Sequence, residues 1–595
     1  MKRFTRTEMV SARSLLIGIV VVFVALGITG FFAIANFSEN VMAAQSSRLA
    51  LSVTTVPKTF NVALNEEAVN VFDLTYASLL RQNGTSAELL PDLAESWQVS
   101  EDGQQIEFML RAGLQWSDGQ PITVEDVLFT FNSICFNPEV PTLLRDILKI
   151  GESGLLPTVQ ARGDRRIEVI SPEPFAPLLR SIGSIPIMPK HAMEPFLTRT
   201  AADAPLPFLS AWGTDTPPSQ IVSNGAYRLA SYTPGQRIVF QRHPGYWQWQ
   251  ADTASPNPIE EIVWEIVESS DTSLMQFRSG SLDVVSVAAP TFSLLKREEN
   301  RGRFTVHEGG PLLSTSYVIF NLNKGRRNGQ PLVDPVKSAW FNTLDFRQAI
   351  AHSLNRRAMI NNILQGLGTV QHSSIALQSE FYLSPQDGLP TYDYDPERSR
   401  ALLQSAGFVY DAEARLHDGE GNRVRFTLMY PTGSNTIDAI ATQVQRDLDH
   451  IGIQLDLQGL SFNALVDRIT VGLDWEAQIL GTTIALEPNS GISTWSPDGR
   501  LHDFNLRPDD TSIAGREVAD WEARIGQLYQ QAAQAMDFET RYRLYAEAQT
   551  LAQTYVPVVY LINPLALMAV RDRIDGVQYS AVSSLLWNVT ELQVR

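Results

Sequence analysis

Apolar and polar positions along this chain recur with two periods, one of two residues and one of three to four, and they predict short strands alternating with amphipathic helices. The clearest stretch is Pro91–Phe131. Trp97 and Val99 alternate with polar residues up to Asp102-Gly103, and Ile106, Phe108 and Leu110 alternate beyond it. That pattern predicts two half-buried strands joined by a glycine-containing turn. A second turn falls at Asp118-Gly119. Thr123 then stands where a helix N-cap is expected, with Glu125 and Asp126 in the first turn, where the helix dipole favours acids. The unit reads as hairpin, turn and capped helix, and says nothing about chemistry.

The remaining chain follows the same alternation. Residues 48–60 begin as a strand and break at Pro57, and residues 66–80 carry helical spacing at Val71, Leu74, Ser78 and Leu79. Residues 164–187 are strand-like, and the Pro-, Ala- and Thr-rich residues 203–222 form a loop. Residues 259–268 alternate as a strand, Asp271 caps a helix through Leu274, Met275 and Phe277, and Leu282–Val285 starts the next strand. Strand, helix, strand is the order of an α/β fold. Tyr317–Asn321 is a strand. Phe346, Ile350 and Leu354 share a helical face, and Asp395-Pro396-Glu397 opens another helix that Gly407 stops. A helix over Ile437–His450 leads to a strand through Ile453, Leu455 and Leu457. Val518–Thr554 is one long helical tract, followed by a strand at Val556–Tyr560. No repeat of solenoid period is present.

Length changes this picture: 595 residues exceed what one core sustains, so two or more domains are expected. A hydrophobic content of 44% with 19% charged residues fits an ordered globular chain. The net charge of -18 argues against nucleic acid as a partner, which calls for a basic face. Cys135 is the only cysteine, so no intrachain disulfide or multi-cysteine metal cluster can form, and its apolar neighbours make it a buried small hydrophobe. At the N-terminus, Lys2, Arg3, Arg6 and Arg13 precede an apolar run from Leu15 to Ala35, and Val41-Met42-Ala43 fits a cleavage site before Ala44. This is the layout of a secretory signal peptide over residues 1–43. The run is also long enough to span a bilayer as an uncleaved anchor. Both readings place the basic end in the cytoplasm and export residues 44 onward.

Catalytic and metal motifs do not appear. The eight histidines are scattered, with no HExxH pair. No Gly-x-Ser-x-Gly elbow and no phosphate-binding Gly-Lys-Ser/Thr loop is present. The chain therefore reads as a non-enzyme without cofactor or metal, a hydrolase from residues converging in space being the remaining alternative.

The order Leu93-Ala94-Glu95-Ser96-Trp97, Asp102-Gly103, Leu110-Arg111-Ala112-Gly113, Trp116-x-Asp118-Gly119, Pro121 and Glu125-Asp126-Val127 resembles the signature region of the family 5 extracellular solute-binding proteins, the peptide- and nickel-binding components of ABC importers. Further similar segments keep the family's order: Ser223–Leu229 (with Ala226 where the family usually has Pro), Arg242–Trp247, Ser279–Asp283 and Phe346–Arg356. The resemblance implies an α/β, type II periplasmic-binding-protein-like fold: two lobes joined by a hinge, with an additional inserted subdomain. On it, lobe I is expected from residues 44–82, 206–311 and 553–595, the inserted subdomain from 83–205 and lobe II from 312–552.

The resemblance also directs attention to Asp474–Trp495. Peptide-binding relatives carry there an Asp that pairs with the peptide's α-amino group, a charge-assisted bond that rejects neutral ligands. Here Thr482, after Leu480-Gly481, takes that place, and the nearest acid is Glu487 before Pro488. Either Glu487 supplies the anchor, or the ligand has no amine there and Glu487 is a solvated loop acid. Tyr317, Tyr430, Phe462, Trp475 and Trp495 are candidate cleft walls, since aromatic faces cover apolar side chains and sugar faces alike, or else core residues. Trp495, in a Ser/Gly/Pro-rich stretch, is expected to be the most exposed. The function implied is capture of a peptide or peptide-like solute by a monomer in the periplasm, hinge closure over it, and delivery to an ABC permease in the inner membrane. The alternatives are an oligosaccharide or other neutral solute, or a membrane-tethered sensor with the same fold.

Overall fold

Two large apolar cores, and a small third one of Ala50, Phe277, Leu295, Phe304 and Ala569 beside the first, divide the described residues, and the strands that build them explain where the chain bends. The structure, a computed structural model, describes residues 47–595 apart from 66–70, 143, 152, 200, 202–203, 252–254 and 508–512. The run Leu15–Ala35, and with it the choice between signal peptide and anchor, lies outside the described residues. Among the described residues no helix is long and apolar enough to cross a membrane.

The first core gathers Leu49, Phe108, Phe131, Tyr227 and Phe240 with the C-terminal Leu585 and Leu592. Its central sheet pairs Arg48–Val53 in parallel with Glu261–Ile266, then continues antiparallel through Arg237–Arg242 and Tyr227–Thr233. Beside it stands an antiparallel sheet of Ala94–Val99, Gln105–Leu110, Arg166–Ile170 and Thr158–Ala161. The predicted hairpin is there: Trp97 pairs with Phe108, and Gly103 takes φ 67° in the turn. Only its second strand has a fully buried apolar face, because Val99 is 40% exposed. The capped helix is also there, at Val124–Leu128, with the Asp126 carboxylate accepting the Thr123 backbone N–H at 2.8 Å.

Buried acids tie these pieces together. Asp92, at the start of the signature stretch, accepts the Trp247 indole N–H at 2.9 Å and the Tyr246 hydroxyl at 3.3 Å. Arg111 lies over the Trp247 ring at 3.7 Å and donates to the Asp92 carbonyl at 2.6 Å. Burial raises the Asp92 carboxyl above its usual range, against the opposing hydrogen bond from Trp247. Asp283 receives both the Arg573 guanidinium, at 2.6 and 2.7 Å, and the Ala50 N–H, at 2.8 Å, which fastens the C-terminal segment to the first strand.

The second core runs from Val318 to Ile562. Its five-stranded sheet has the order Gln454–Leu460, Arg425–Pro431, Ala477–Thr483, Ser314–Phe320, Val558–Tyr560. The first two strands are parallel, and the helix Asn435–Asp449 links them, burying Ile440, Ala441, Val444 and Leu448 at helical spacing after an N-cap from Ser434. Phe320 stacks on Phe341 at 5.1 Å, with Phe346 and Phe426 edge-on. Each such buried ring stabilises the fold by about 1.5–3 kcal/mol.

Among the described residues the chain crosses between the cores twice, in adjacent strands. Phe304–Pro311 pairs with Ile562–Arg571 on the first side, and Ser314–Phe320 pairs with Val558–Tyr560 on the second. The ribbon stays bonded through the crossing by Leu312 N–H to the Pro564 carbonyl, 2.8 Å, and Leu561 N–H to the Ser316 carbonyl, 2.9 Å. A bulge between Glu308 and Pro311 interrupts it, with Gly310 at φ 84°. The two bodies also touch where the Ala176 N–H donates to the Ala533 carbonyl at 2.7 Å.

Some elements differ from the pattern's expectation. Of residues 66–80, described from Val71 onward, only Phe72–Thr75 is helical. The chain then extends because the Thr75 carbonyl accepts from the Asn224 and Gly225 N–H groups and the Ala77 N–H donates to the Asn224 side chain. Within 164–187, Arg166–Ile170 is a strand but Leu178–Gly183 is a helix. Ser269, not Asp271, caps Ser270–Ser279, its hydroxyl accepting the Thr272 N–H. The tract 518–554 is two helices, Asp520–Gln534 and Phe538–Tyr555, because Asp537 caps the second through the Thr540 N–H at 2.8 Å.

Candidate functional site

Strand register builds a cavity on the second body. Tyr317 lies opposite Leu480 on one side and Tyr560 on the other, and Ile319 lies opposite Val558. Their side chains share one face of the sheet and form the floor of a cavity of about 340 Å³. One wall is Phe462, Val466 and Ile469 from the helix Phe462–Asp467 and the turn after it. The facing wall comes from Glu487–Trp495 and Leu501–Phe504. Phe462 and Leu501 are 60% and 57% exposed, so the rim carries apolar surface open to solvent.

Five of the seven residues singled out from sequence meet here: Tyr317, Phe462, Thr482, Glu487 and Trp495. Tyr430 and Trp475 lie outside the cavity; Trp475 is buried in the core, at 2% exposed, and its indole N–H has no partner among the described residues. Trp495 is not exposed as expected. The short helix Ile492–Trp495 packs on Asp520–Gln534, and the Trp495 ring stacks on Tyr529 at 6.3 Å. Thr482 is exposed at the open end of its strand.

Glu487 is neither a solvated loop acid nor a free anchor. Its carboxylate receives Arg541 at 2.6 Å and the Asn489 N–H at 3.2 Å, and both charged side chains are nearly buried, at 12% and 11%. Arg541 in turn lies over the Phe381 ring at 4.6 Å and donates to the Ala532 carbonyl. The acid is thus committed inside the protein.

Sequence reasoning passed over Asp503, which lines the same cavity. Its side chain makes no hydrogen bond or ion pair among the described residues, and burial alone pushes its carboxyl up to about 7. The segment that carries it is pinned from beneath. His502 Nδ1 donates to the Thr494 carbonyl at 2.8 Å, His502 Nε2 meets Glu522 at 2.7 Å, and Asn505 also donates to Glu522 at 2.8 Å. The only sequence signal for Asp503 was an acid next to an aromatic in a polar loop, which is common. Among the described residues no Lys, Arg or His lines the cavity. Among the described residues no group of three or more His, Cys, Asp or Glu could hold a metal ion, and Cys135 is buried, its thiol pushed up to about 12.

A second cavity, of about 550 Å³, opens on the first body where Arg48–Val53 ends and the helix Ser270–Ser279 begins. Thr54, Thr55, Ser270, Ser273 and Trp264 line it, with Asp73 at its edge.

Comparison with known proteins gives a consistent picture. Residues 88–509 match the family model of bacterial extracellular solute-binding proteins, family 5 Middle. A probable ABC transporter-binding protein of Deinococcus radiodurans is 24% identical over 541 residues, covering 87% of each chain. The oligopeptide-binding protein AppA of Bacillus subtilis, solved with a nonapeptide, superposes with TM-score 0.69 at 18% identity over 92% of this chain and 99% of that one. The periplasmic binding protein MelB of Agrobacterium fabrum, solved with stachyose, gives TM-score 0.70 at 19% identity over 92% and 85%.

Proposed function

We propose, from the premise that this chain belongs to the bacterial extracellular solute-binding proteins of family 5, that it captures a peptide or peptide-like solute between its two bodies and hands it to an ABC permease. Recognition needs no covalent step. The observation that carries this reading is the pairing of an apolar, aromatic-lined cavity on one body with a two-strand crossing to the other. A ligand seated against Tyr317, Trp495 and Phe504 and covered by the first body would favour the closed form in proportion to its extra contacts there. The polar lining around Thr54, Ser270 and Ser273 suits main-chain groups of an extended ligand. The protein works outside the cytoplasm, which the family's extracellular role supports, and on this reading it acts as a monomer.

A neutral solute such as an oligosaccharide is the second reading, favoured by Thr482 in the place where peptide-binding relatives carry an acid. Mass spectrometry of the ligand that co-purifies with the exported protein decides between them. A ladder of peptide masses supports the first reading; saccharide masses alone reject it.

A further inference from the structure

On the reading that the cavity of the second body is the solute site, its lining decides which chemical group it takes. Among the described residues the cavity is lined by two acids, Glu487 and Asp503, and no base. Glu487 is neutralised within the protein by Arg541 at 2.6 Å. Asp503 has no such partner among the described residues, and neither does any cation face it: Tyr317 and Tyr560 rise from the floor, Glu487 with its Arg541 forms the wall, and the adjacent His502 is turned away to Glu522 and Thr494. The Asp503 charge is felt across the cavity at the Tyr317 hydroxyl, which burial first and then this carboxylate hold above the usual phenol range.

We infer that Asp503 is the residue that selects the ligand, by receiving a primary ammonium group carried on an apolar moiety that fills the aromatic part of the cavity. A half-buried carboxylate with no internal cation is unfavourable when empty, and a ligand ammonium removes that penalty, so a neutral analogue is rejected. Phe462, Trp495, Phe504 and Tyr560 supply the apolar and π-faces for the rest of the ligand. This makes Thr482 intelligible. The cavity's unpaired charge comes from the segment Leu501–Phe504, on the wall it shares with Glu487–Trp495, and not from the end of the Ala477–Thr483 strand. Gln478, opposite Ile319 on the sheet face that forms the floor, is fully buried, with both amide atoms unpartnered among the described residues.

The test is calorimetric titration of the purified chain with trileucine, N-acetyl-trileucine, hexylammonium and hexanol, for the native protein, Asp503→Asn and Asp503→Glu. The native protein is expected to prefer trileucine over its acetylated form at least tenfold, and hexylammonium over hexanol likewise. Asn is expected to abolish both preferences in a protein that still unfolds in one thermal transition, and Glu to restore them in part. The native preference should fade as pH falls from 8 to 6 and the carboxyl protonates, and the Asn variant should show no such dependence. Preference that survives in the Asn variant, or no preference for either ammonium in the native protein, overturns the assignment. If neither tripeptide binds but hexylammonium does and needs Asp503, the assignment stands and the peptide reading falls.

Discussion

Asp92 and Asp503 are both carboxyls that burial raises, and what surrounds each sets its role. Asp92 is enclosed by donors from Trp247, Tyr246 and Ser78, so it joins the signature stretch to the segment Arg242–Trp247. Asp92→Ala leaves the Trp247 N–H without its acceptor and is expected to cost about 2–4 kcal/mol, read from denaturant unfolding. Asp503 lacks donors, and its pH behaviour has the opposite use. In the fold its carboxyl is pushed up to about 7, against 3.8 for a free aspartate side chain. Between those values the folded state holds a proton that the unfolded state has released, so this group's contribution to stability is lost as pH rises through the window. Asp503→Asn should match the native protein near pH 4 and exceed it by about 1–3 kcal/mol at pH 8 in urea titrations, the full shift being discounted because solvent reaches the site. Equal stability of the two proteins at both pH values would contradict the buried, unpaired state of the acid. At this scale the sequence disclosed residue types but not partners: Glu487 looked available until Arg541, 54 positions away, was seen to hold it, and Trp475, two residues before the strand Ala477–Thr483, looked like a cleft wall because an indole suits a cleft and a core equally.

Elements with strong periodicity and a cap were legible, and those decided by distant hydrogen bonds were not. The hairpin at Trp97–Leu110 and the helix after Asp395, whose carboxylate accepts the Arg398 N–H at 2.9 Å, form where the pattern predicts them. The segment after Thr75 extends instead, because Asn224 claims its backbone. The break at Asp537 was written in the chain as an N-cap followed three residues later by Thr540, inside a pattern otherwise helical throughout. The crossing bulge left no periodic signal, only two adjacent glycines. A Cβ on Gly309 would meet the backbone of Ser580 and Ala581 at 2.8–2.9 Å, whereas Gly310 faces open space but needs its positive φ. Gly309→Ala is expected to cost about 1–3 kcal/mol by steric displacement, and Gly310→Ala about 1 kcal/mol by backbone strain. Both are measurable by thermal unfolding; a Gly310 variant more costly than Gly309 would mean that strain, not close approach, governs the bulge.

Across the whole molecule, the two large cores meet through one bonded ribbon and a small contact at Ala176 and Ala533, which makes relative rotation the softest motion available, since bending there breaks few apolar contacts. Small-angle scattering should show the radius of gyration falling when a solute saturates the protein; an unchanged value in the presence of demonstrated binding would reject closure. Length and the resemblance made the two-lobe α/β plan legible from sequence, yet the site needed three dimensions, because its walls come from strands, a helix and loops between residues 317 and 560. The same ribbon has a consequence for how such a protein can diversify. Since Tyr317 and Tyr560 are paired neighbours, the second body leaves and rejoins the chain at nearly one point. It is a cassette with its two ends side by side, and with it travels the entire cavity and its lone carboxylate. Exchange of that cassette between relatives through the two strands would transfer solute choice and leave untouched the body that carries the signature hairpin.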